Sequence, residues 1–261
     1  MEIKEDIELL FARIDDLCER AERGEMAVSV FLSPRELHFA RRRLDIRHAK
    51  FLVFGGMAEA ERGRIYILPE YMEDVLTVSE LEAYGEDLRI STLRVSGSGF
   101  SKLSHRDFMG SLLGLGIERS VIGDIIVTET GREAIVFCDS DIVRFLLESW
   151  NKVGNDKVRV ENVVLPENFT PERRFANLND TVASPRVDGV VAALCSLSRD
   201  KARALVENEF VEVDYEIVSR PDKMLAAPCL VTVRGYGKFK LMSVSEQTKK
   251  GRYRLLAQKY L

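Results

Sequence analysis

The sequence predicts a multidomain α+β protein. Three observations carry that reading. Hydrophobic periodicity alternates between strand-like and helix-like along residues 88–165. Two helix starts lie close together at Arg186 and Ser198. The charge balance changes sign along the chain: residues 181–261 hold 14 Lys/Arg against 9 Asp/Glu, a balance of +5, and residues 1–180 hold 24 against 33, a balance of −9. At 261 residues the chain has room for two domains or three small ones.

Composition narrows the function classes. With 46% apolar and 31% charged residues the chain reads as globular. No apolar run approaches the roughly 20 residues that span a bilayer, and the acidic, amphipathic opening MEIKEDIELLFARIDDL is not a signal peptide. Cys18, Cys138, Cys195 and Cys229 form no Cys-x-x-Cys pair and suit a reducing cytoplasm. With only three histidines, they argue against a metal site or a disulfide framework. The expectation is a cytoplasmic, monomeric protein with no metal, no cofactor and no membrane partner.

The first unit expected is a small α/β domain over residues 1–75. Ile7, Leu10, Phe11, Ile14, Leu17, Cys18 and Ala21 place a helix over 5–22. A strand follows at 27–32. Ser33-Pro34-Arg35-Glu36 is a capping box with proline at the first helical position, opening a helix to Leu44. Strands at 50–54 and 64–68 flank Gly55-Gly56.

The central domain, 76–166, reads as strand 88–96, helix 104–115, strand 121–128, strand 134–138, helix 141–152 and strand 157–165. That order, β-α-β-β-α-β, is the ferredoxin-like plan shared by RRM-like domains. The third strand offers only Phe137 as an aromatic and the first offers none, so base stacking on this sheet is not expected. Two readings stand for His105 and Arg106 beside Ser104 and Asp107. They form either a second RNA contact or an ordinary helix cap in which Asp107 completes an acidic capping box. Arg119 is either a solvated partner of Glu118 or part of that contact.

A polar linker, 167–180, leads to a C-terminal module over 181–261. Helices are expected from Val187 and from Ser198 to about Asn208, with strands at 210–213, 216–219, 229–234 and 240–244. Lys249 to Arg254 form a basic turn before a last strand. Ser198 caps the second helix, and Arg199 and Arg203, four residues apart, share one flank of it. A helix N-terminus flanked by arginines suits phosphate.

Arg186-x-Asp188 at one helix start and Ser198-Arg199-x-x-Ala202 at the next resemble the opening of an S4 RNA-binding domain. Three stretches widen the resemblance: Gly55-Gly56 with Ala60-Glu61-Arg62 and Leu68-Pro69; Ser104 through Ile125; and Arg186 through the loop Val233-Arg234-Gly235-Tyr236-Gly237-Lys238-Phe239. On these the chain is similar to the YlmH-type S4-domain proteins, bacterial ribosome-associated RNA-binding proteins. It departs from the S4 pattern where Glu209 replaces a glycine after the second helix. A left-handed residue there would fall on Asn208. Asp214-Tyr215 stands for the usual Asn-Gly, and Pro228-Cys229 for a Gly-Asp.

The resemblance implies a non-catalytic factor on the large ribosomal subunit. Its partners would be rRNA and tRNA or peptidyl-tRNA rather than DNA, in quality control of subunits blocked by peptidyl-tRNA. The expected RNA-binding residues are Arg186, Ser198, Arg199, Lys201, Arg203, Arg234, Lys238 and Lys240, with Asp188 orienting Arg186. Alternatives are an RNA-modifying enzyme or a tRNA-binding accessory protein carrying an S4 module. The enzyme reading lacks an acid–base set beyond His105 and Asp107.

Overall fold

The computed structural model describes residues 2–166, 169–171, 175–247 and 251–260. The chain forms two compact units, residues 1–171 and 172–261. The boundary expected near residue 75 falls inside the first of these units, beside a buried seam.

In the first unit α1 (Glu2–Glu22) and α2 (Pro34–Arg47) share one core. Leu10, Ile14, Cys18 and Ala21 meet Leu37, Ala40 and Leu44 there, at the spacing of one helical stripe. The cap of α2 is as expected: Ser33 Oγ accepts from Glu36 N at 3.3 Å, and Glu36 Oε2 accepts from Ser33 N at 2.7 Å. The same core includes the sheet of β1 (Ala27–Val28), β2 (Phe51–Phe54) and β3 (Arg64–Ile67), in spatial order β1-β3-β2. The first strand is shorter than the expected 27–32, leaving Leu32 in an isolated bridge to Gly63. A short helix absent from the sequence reading, α3 (Val78–Ala83), is opened by a capping box between Thr77 and Glu80.

The central segment runs β4 (Ile90–Gly97), α4 (His105–Gly114), β5 (Ile122–Val127), β6 (Glu133–Asp139), α5 (Val143–Ser149), β7 (Lys152–Val153) and β8 (Asp156–Asn162). Apart from the two-residue β7, this is the expected β-α-β-β-α-β order. The strands lie antiparallel as β5-β6-β4-β8-β7. Phe108, Leu112, Val143, Leu146 and Trp150 cover Leu93, Val95, Ala134 and Val136. Trp150 Nε1 donates to Ser111 Oγ at 2.9 Å, which ties the end of α5 to α4. The helix expected over 141–152 is shorter because a 3-10 turn, Ser140–Ile142, precedes it and Lys152 already belongs to a hairpin.

The seam lies on the other face of this sheet. Phe137 is fully buried against Gly56, whose φ is +95°, and a Cβ at Gly56 would sit 2.3 Å from the Phe137 ring. A Cβ at Gly123 would sit 2.8 Å from the Phe31 ring. Asp124 accepts from Glu61 N at 2.7 Å and Arg62 N at 3.0 Å. The Arg62 guanidinium donates to the carbonyls of Ile122, Phe31 and Arg119 at 2.8–3.1 Å. Arg64, its side chain 5% exposed, is ion-paired with Asp139, donates to Arg89 O at 2.8 Å and lies 5.1 Å from the Phe31 ring centroid. The lone aromatic of the third strand is thus consumed in packing.

The second unit opens with a strand where a linker was expected. Within 167–180, β9 (Phe175–Val182) pairs along its whole length with β14 (Tyr253–Tyr260). The signal was a period of two, with Leu178 and Val182 joining the core while Asn177 and Asn179 stay exposed. The sheet order is β11-β10-β12-β13-β14-β9, with β10 (Val211–Val213), β11 (Glu216–Ile217), β12 (Cys229–Val233) and β13 (Gly237–Gln247). Two helices, α6 (Val187–Cys195) and α7 (Arg199–Glu207), lie on one face, where Val190, Val191, Ala202 and Val206 meet Val231, Phe239 and Leu241. The left-handed residue after α7 is Glu209 (φ 61°), not Asn208 (φ −89°). Asn208 instead keeps its side chain on the helix, donating to Ala204 O at 2.7 Å. Asp214 (φ 48°) and Tyr215 (φ 66°) make the hairpin turn that Asn-Gly would favour. Lys249 and Lys250 of the expected basic turn lie outside the described residues.

The seam predicts opposite effects for two glycine-to-alanine changes in the first unit. Gly56→Ala should destabilise by about 1–3 kcal/mol through overpacking against Phe137. Gly110→Ala, in α4 with nothing within 4 Å of its added carbon, should stabilise by up to about 1 kcal/mol. Urea unfolding of the two variants at neutral pH checks both signs.

Candidate nucleic-acid interface

The N-terminal ends of α6 and α7 meet at one carboxylate. Arg186 is the N-cap of α6, and Asp188 sits in its first turn with a side chain 7% exposed. Arg186 donates to both Asp188 oxygens from Nε and Nη2, each at 3.2 Å. Arg199, the first residue of α7, donates from Nη2 to the same oxygens at 3.0 and 3.2 Å. Gly189 N completes the set at 2.7 Å. Burial opposes ionisation of Asp188. The bonds from Arg199, Arg186 and Gly189 outweigh it, so its pKa lies below the ordinary 3.8.

One carboxylate thus fixes two guanidinium groups side by side, 38% and 55% exposed. A guanidinium carries five N–H donors; the bonds to Asp188 use two from Arg186, and those from Arg199 come from Nη2 alone. Both side chains stay partly exposed, so their remaining donors are open to an oxyanion. The amides at the start of α6 are otherwise occupied, since Val187 N and Asp188 N donate to the carbonyls of Lys223 and Pro221. At α7, Ser198 Oγ accepts from Lys201 N at 3.4 Å, which makes Ser198 a cap. Lys201 is exposed beside it. A recess of about 460 Å³ runs alongside, lined by Thr181, Ser184, Gly189, Arg199 and Arg252. Arg252 escaped the sequence reading as a site residue. It is held there by bonds to Thr181 O at 2.5 Å and Thr181 Oγ1 at 3.0 Å.

The other expected residues lie elsewhere. Arg203 leans along α7 to Glu207, Nε to Oε1 at 2.8 Å, instead of joining Arg199. Arg234 stacks over Phe210 at 5.4 Å and donates from its backbone N to Phe210 O. That puts it at the far end of α7, about 13 Å along a nine-residue helix. Lys238 and Lys240 alternate with the core residues Phe239 and Leu241, so they project from the sheet face that α6 and α7 do not cover. The eight residues therefore divide between two faces of the unit.

In the first unit, His105 and Arg106 are exposed at the start of α4, and Arg119 follows its end. The structure does not bring the three together. Ser104 N and Oγ both donate to Asp107 Oδ2, at 2.8 and 2.7 Å, and hold the Asp107 carboxyl below its usual range. Capping accounts for Ser104 and Asp107. Arg119 instead lines a cleft of about 550 Å³ with Arg13, Arg35 and Arg62. The sequence reading missed that grouping, because it is assembled from four separate segments.

Comparison with known proteins adds to this geometry. Residues 84–167, which contain the central sheet, match the family model described as "Putative RNA-binding domain in YlmH". The chain is 30% identical over 234 residues to "Ribosome-associated protein quality control protein P2" of Bacillus subtilis (strain 168), covering 90% of this chain and 87% of that one. The chain belongs to the YlmH family. A solved YlmH structure, "Cell division protein ylmH from Streptococcus pneumoniae", shares the fold with a TM-score of 0.51 at 18% identity, over 61% of this chain and 92% of that one. The YlmH resemblance seen in Gly55-Gly56, Ala60-Glu61-Arg62 and Gly123-Asp124 maps onto the buried seam.

Asp188 supplies a pH test. A carboxyl whose folded pKa is lowered stabilises fully above its unfolded pKa, near 3.8, and loses that contribution as pH falls through the folded value. Asp188→Asn should therefore cost about 1–3 kcal/mol at neutral pH, and the gap to the unsubstituted chain should narrow below about pH 4. Urea unfolding across that range measures it.

Proposed function

We propose that the chain is a non-catalytic cytoplasmic protein that binds structured RNA on the large ribosomal subunit. In this reading residues 181–261, completed by β9, act as an S4-type RNA-binding domain. The central β-α-β-β-α-β segment is the RRM-like domain of the family, without its stacking surface. The supporting observation is the pair of guanidinium groups held side by side by Asp188 at the meeting of two helix ends. Such a pair recognises the spacing of phosphates along a folded backbone and carries no base code. Lys201 extends it along α7, and Arg203 joins by exchanging Glu207, an exposed partner one turn along the helix. Arg234 offers a separate contact at the other end of α7.

The relative's name places that relative at the ribosome in quality control, and we extend that role to this chain. Its partners would be rRNA and a tRNA or peptidyl-tRNA held on the subunit, met by a monomer. His105, Arg106 and Arg119 remain candidate further contacts, at two separate places. An RNA-modifying enzyme is the weaker reading. Asp107 is committed to its cap, and burial pushes the thiols of Cys138 up to about 12 and of Cys195 and Cys229 to about 11, so none is a thiolate at neutral pH.

Sedimentation with purified large subunits tests the assignment. The chain should co-sediment at low salt and dissociate as salt rises. Arg199→Ala combined with Arg203→Ala should weaken binding and flatten the slope of log affinity against log salt by about 2, one unit for each phosphate contact removed. Unchanged affinity and slope would remove these residues from the site.

A further inference from the structure

The sheet of the second unit is covered by helices on one face only. Phe239, Leu241, Leu255 and Ala257 point into the core under α6 and α7. Their neighbours point the other way. Lys238 is opposite Thr232, Lys240 lies between Leu230 and Gln258, Gln258 is opposite Asn177, and Tyr260 is opposite Phe175.

One ammonium group sits among three rings on this open face. Phe175 and Tyr260 meet edge to face with centroids 5.0 Å apart. Lys238 Nζ lies 5.0 Å from the Tyr260 centroid and 5.8 Å from that of Tyr215. The row Tyr215, Lys238, Tyr260, Phe175 is half-exposed throughout, with Lys240 and Asn177 exposed beside it. Tyr215 holds its place at φ 66°, where a side chain costs conformational energy and glycine would not. Further along the same face Leu256 and Met242 are 44% and 42% exposed.

This combination selects its ligand chemistry. Flat apolar rings half open to water bind other flat rings, and ammonium groups among them bind anions. Amide side chains in the next row offer hydrogen bonds to sugar hydroxyls or base edges. A ligand that carries rings and anionic groups at short intervals, with the rings free to turn outward, is an unpaired nucleic-acid strand. A duplex keeps its bases stacked inside and presents only phosphate and sugar to such a face.

We propose that this open face binds a single-stranded segment of RNA, with bases stacked on Tyr260, Phe175 and Tyr215 and phosphates held by Lys238 and Lys240. It is a second RNA surface, on the opposite side of the sheet from Arg186 and Arg199, and it does not depend on that site. A base arriving on Tyr260 displaces the Lys238 ammonium from the ring toward the adjoining phosphate.

The test uses the full chain and a short fluorescein-labelled oligouridylate, followed by fluorescence anisotropy. The chain should bind the oligomer, and Phe175→Ala with Tyr260→Ala should weaken binding about tenfold with an unchanged circular dichroism spectrum. Arg199→Ala with Arg203→Ala should weaken it less than the ring variant does, which separates this face from the helix-end site. Ultraviolet cross-linking of the unsubstituted chain to the same oligomer removes any dependence on how the variants fold. Adducts in the peptides holding Phe175 or Tyr260 support the proposal. Adducts only elsewhere, an unaffected ring variant or no binding of the oligomer would overturn it, and subunit binding that persisted in that case would leave the helix-end site standing.

Discussion

The second unit is organised around one buried carboxylate. Asp188 receives five hydrogen bonds, from two arginines on different helices and from the amide of Gly189. Removing a charged group from water is tolerated only where opposite charge and donors replace the lost hydration. Here the replacement also sets the geometry, because it brings the starts of α6 and α7 together. It also leaves both guanidinium groups partly exposed. An arginine on a mobile side chain gives up rotamer freedom on meeting a phosphate. Arg186 and Arg199 have given up much of theirs in folding.

The first unit uses the same physics toward a different end. Arg62 and Arg64 are turned inward, to carbonyls and to Asp139, so charges that look like a solvated strand end become the fastening between two sheets. Asp124 does the same for the loop at Glu61 and Arg62. At Gly56 and Gly123 a ring occupies the space a side chain would need. Family membership is thus written partly in residues that hold the body together.

Local features were legible in the sequence wherever their physics is local. The capping box at Ser33 and Glu36, the start of α4 at Ser104 and the strands of the central sheet follow from neighbouring residues alone. The pairing of Arg186 with Asp188 was readable because they lie two positions apart. The second partner, Arg199, eleven positions on, was read only as a phosphate ligand. Strand β9 was lost because prolines at 166 and 171 and the run Asn177 to Asp180 mimic a linker. Only its partner β14 makes it a strand. Lys238 and Lys240 were grouped with Arg234 by proximity in sequence, although alternation with Phe239 and Leu241 already placed them on the outer face. Tyr260 and Phe175 had no sequence signal at all, since about eighty positions separate them.

The position of β9 has a consequence for how the second unit comes to be made. Among the described residues its ladder partner is β14, and about seventy residues lie between the paired segments. During synthesis β9 leaves the ribosome long before its partner exists, carrying an unsatisfied row of amides and carbonyls. The hairpins of β10 with β11 and β12 with β13 close over short loops and have no such wait. The edge that brings Phe175 to Tyr260 is therefore the most non-local pairing in the sheet. A nascent chain interrupted before β14 would hold both helices of the module and still lack the finished face.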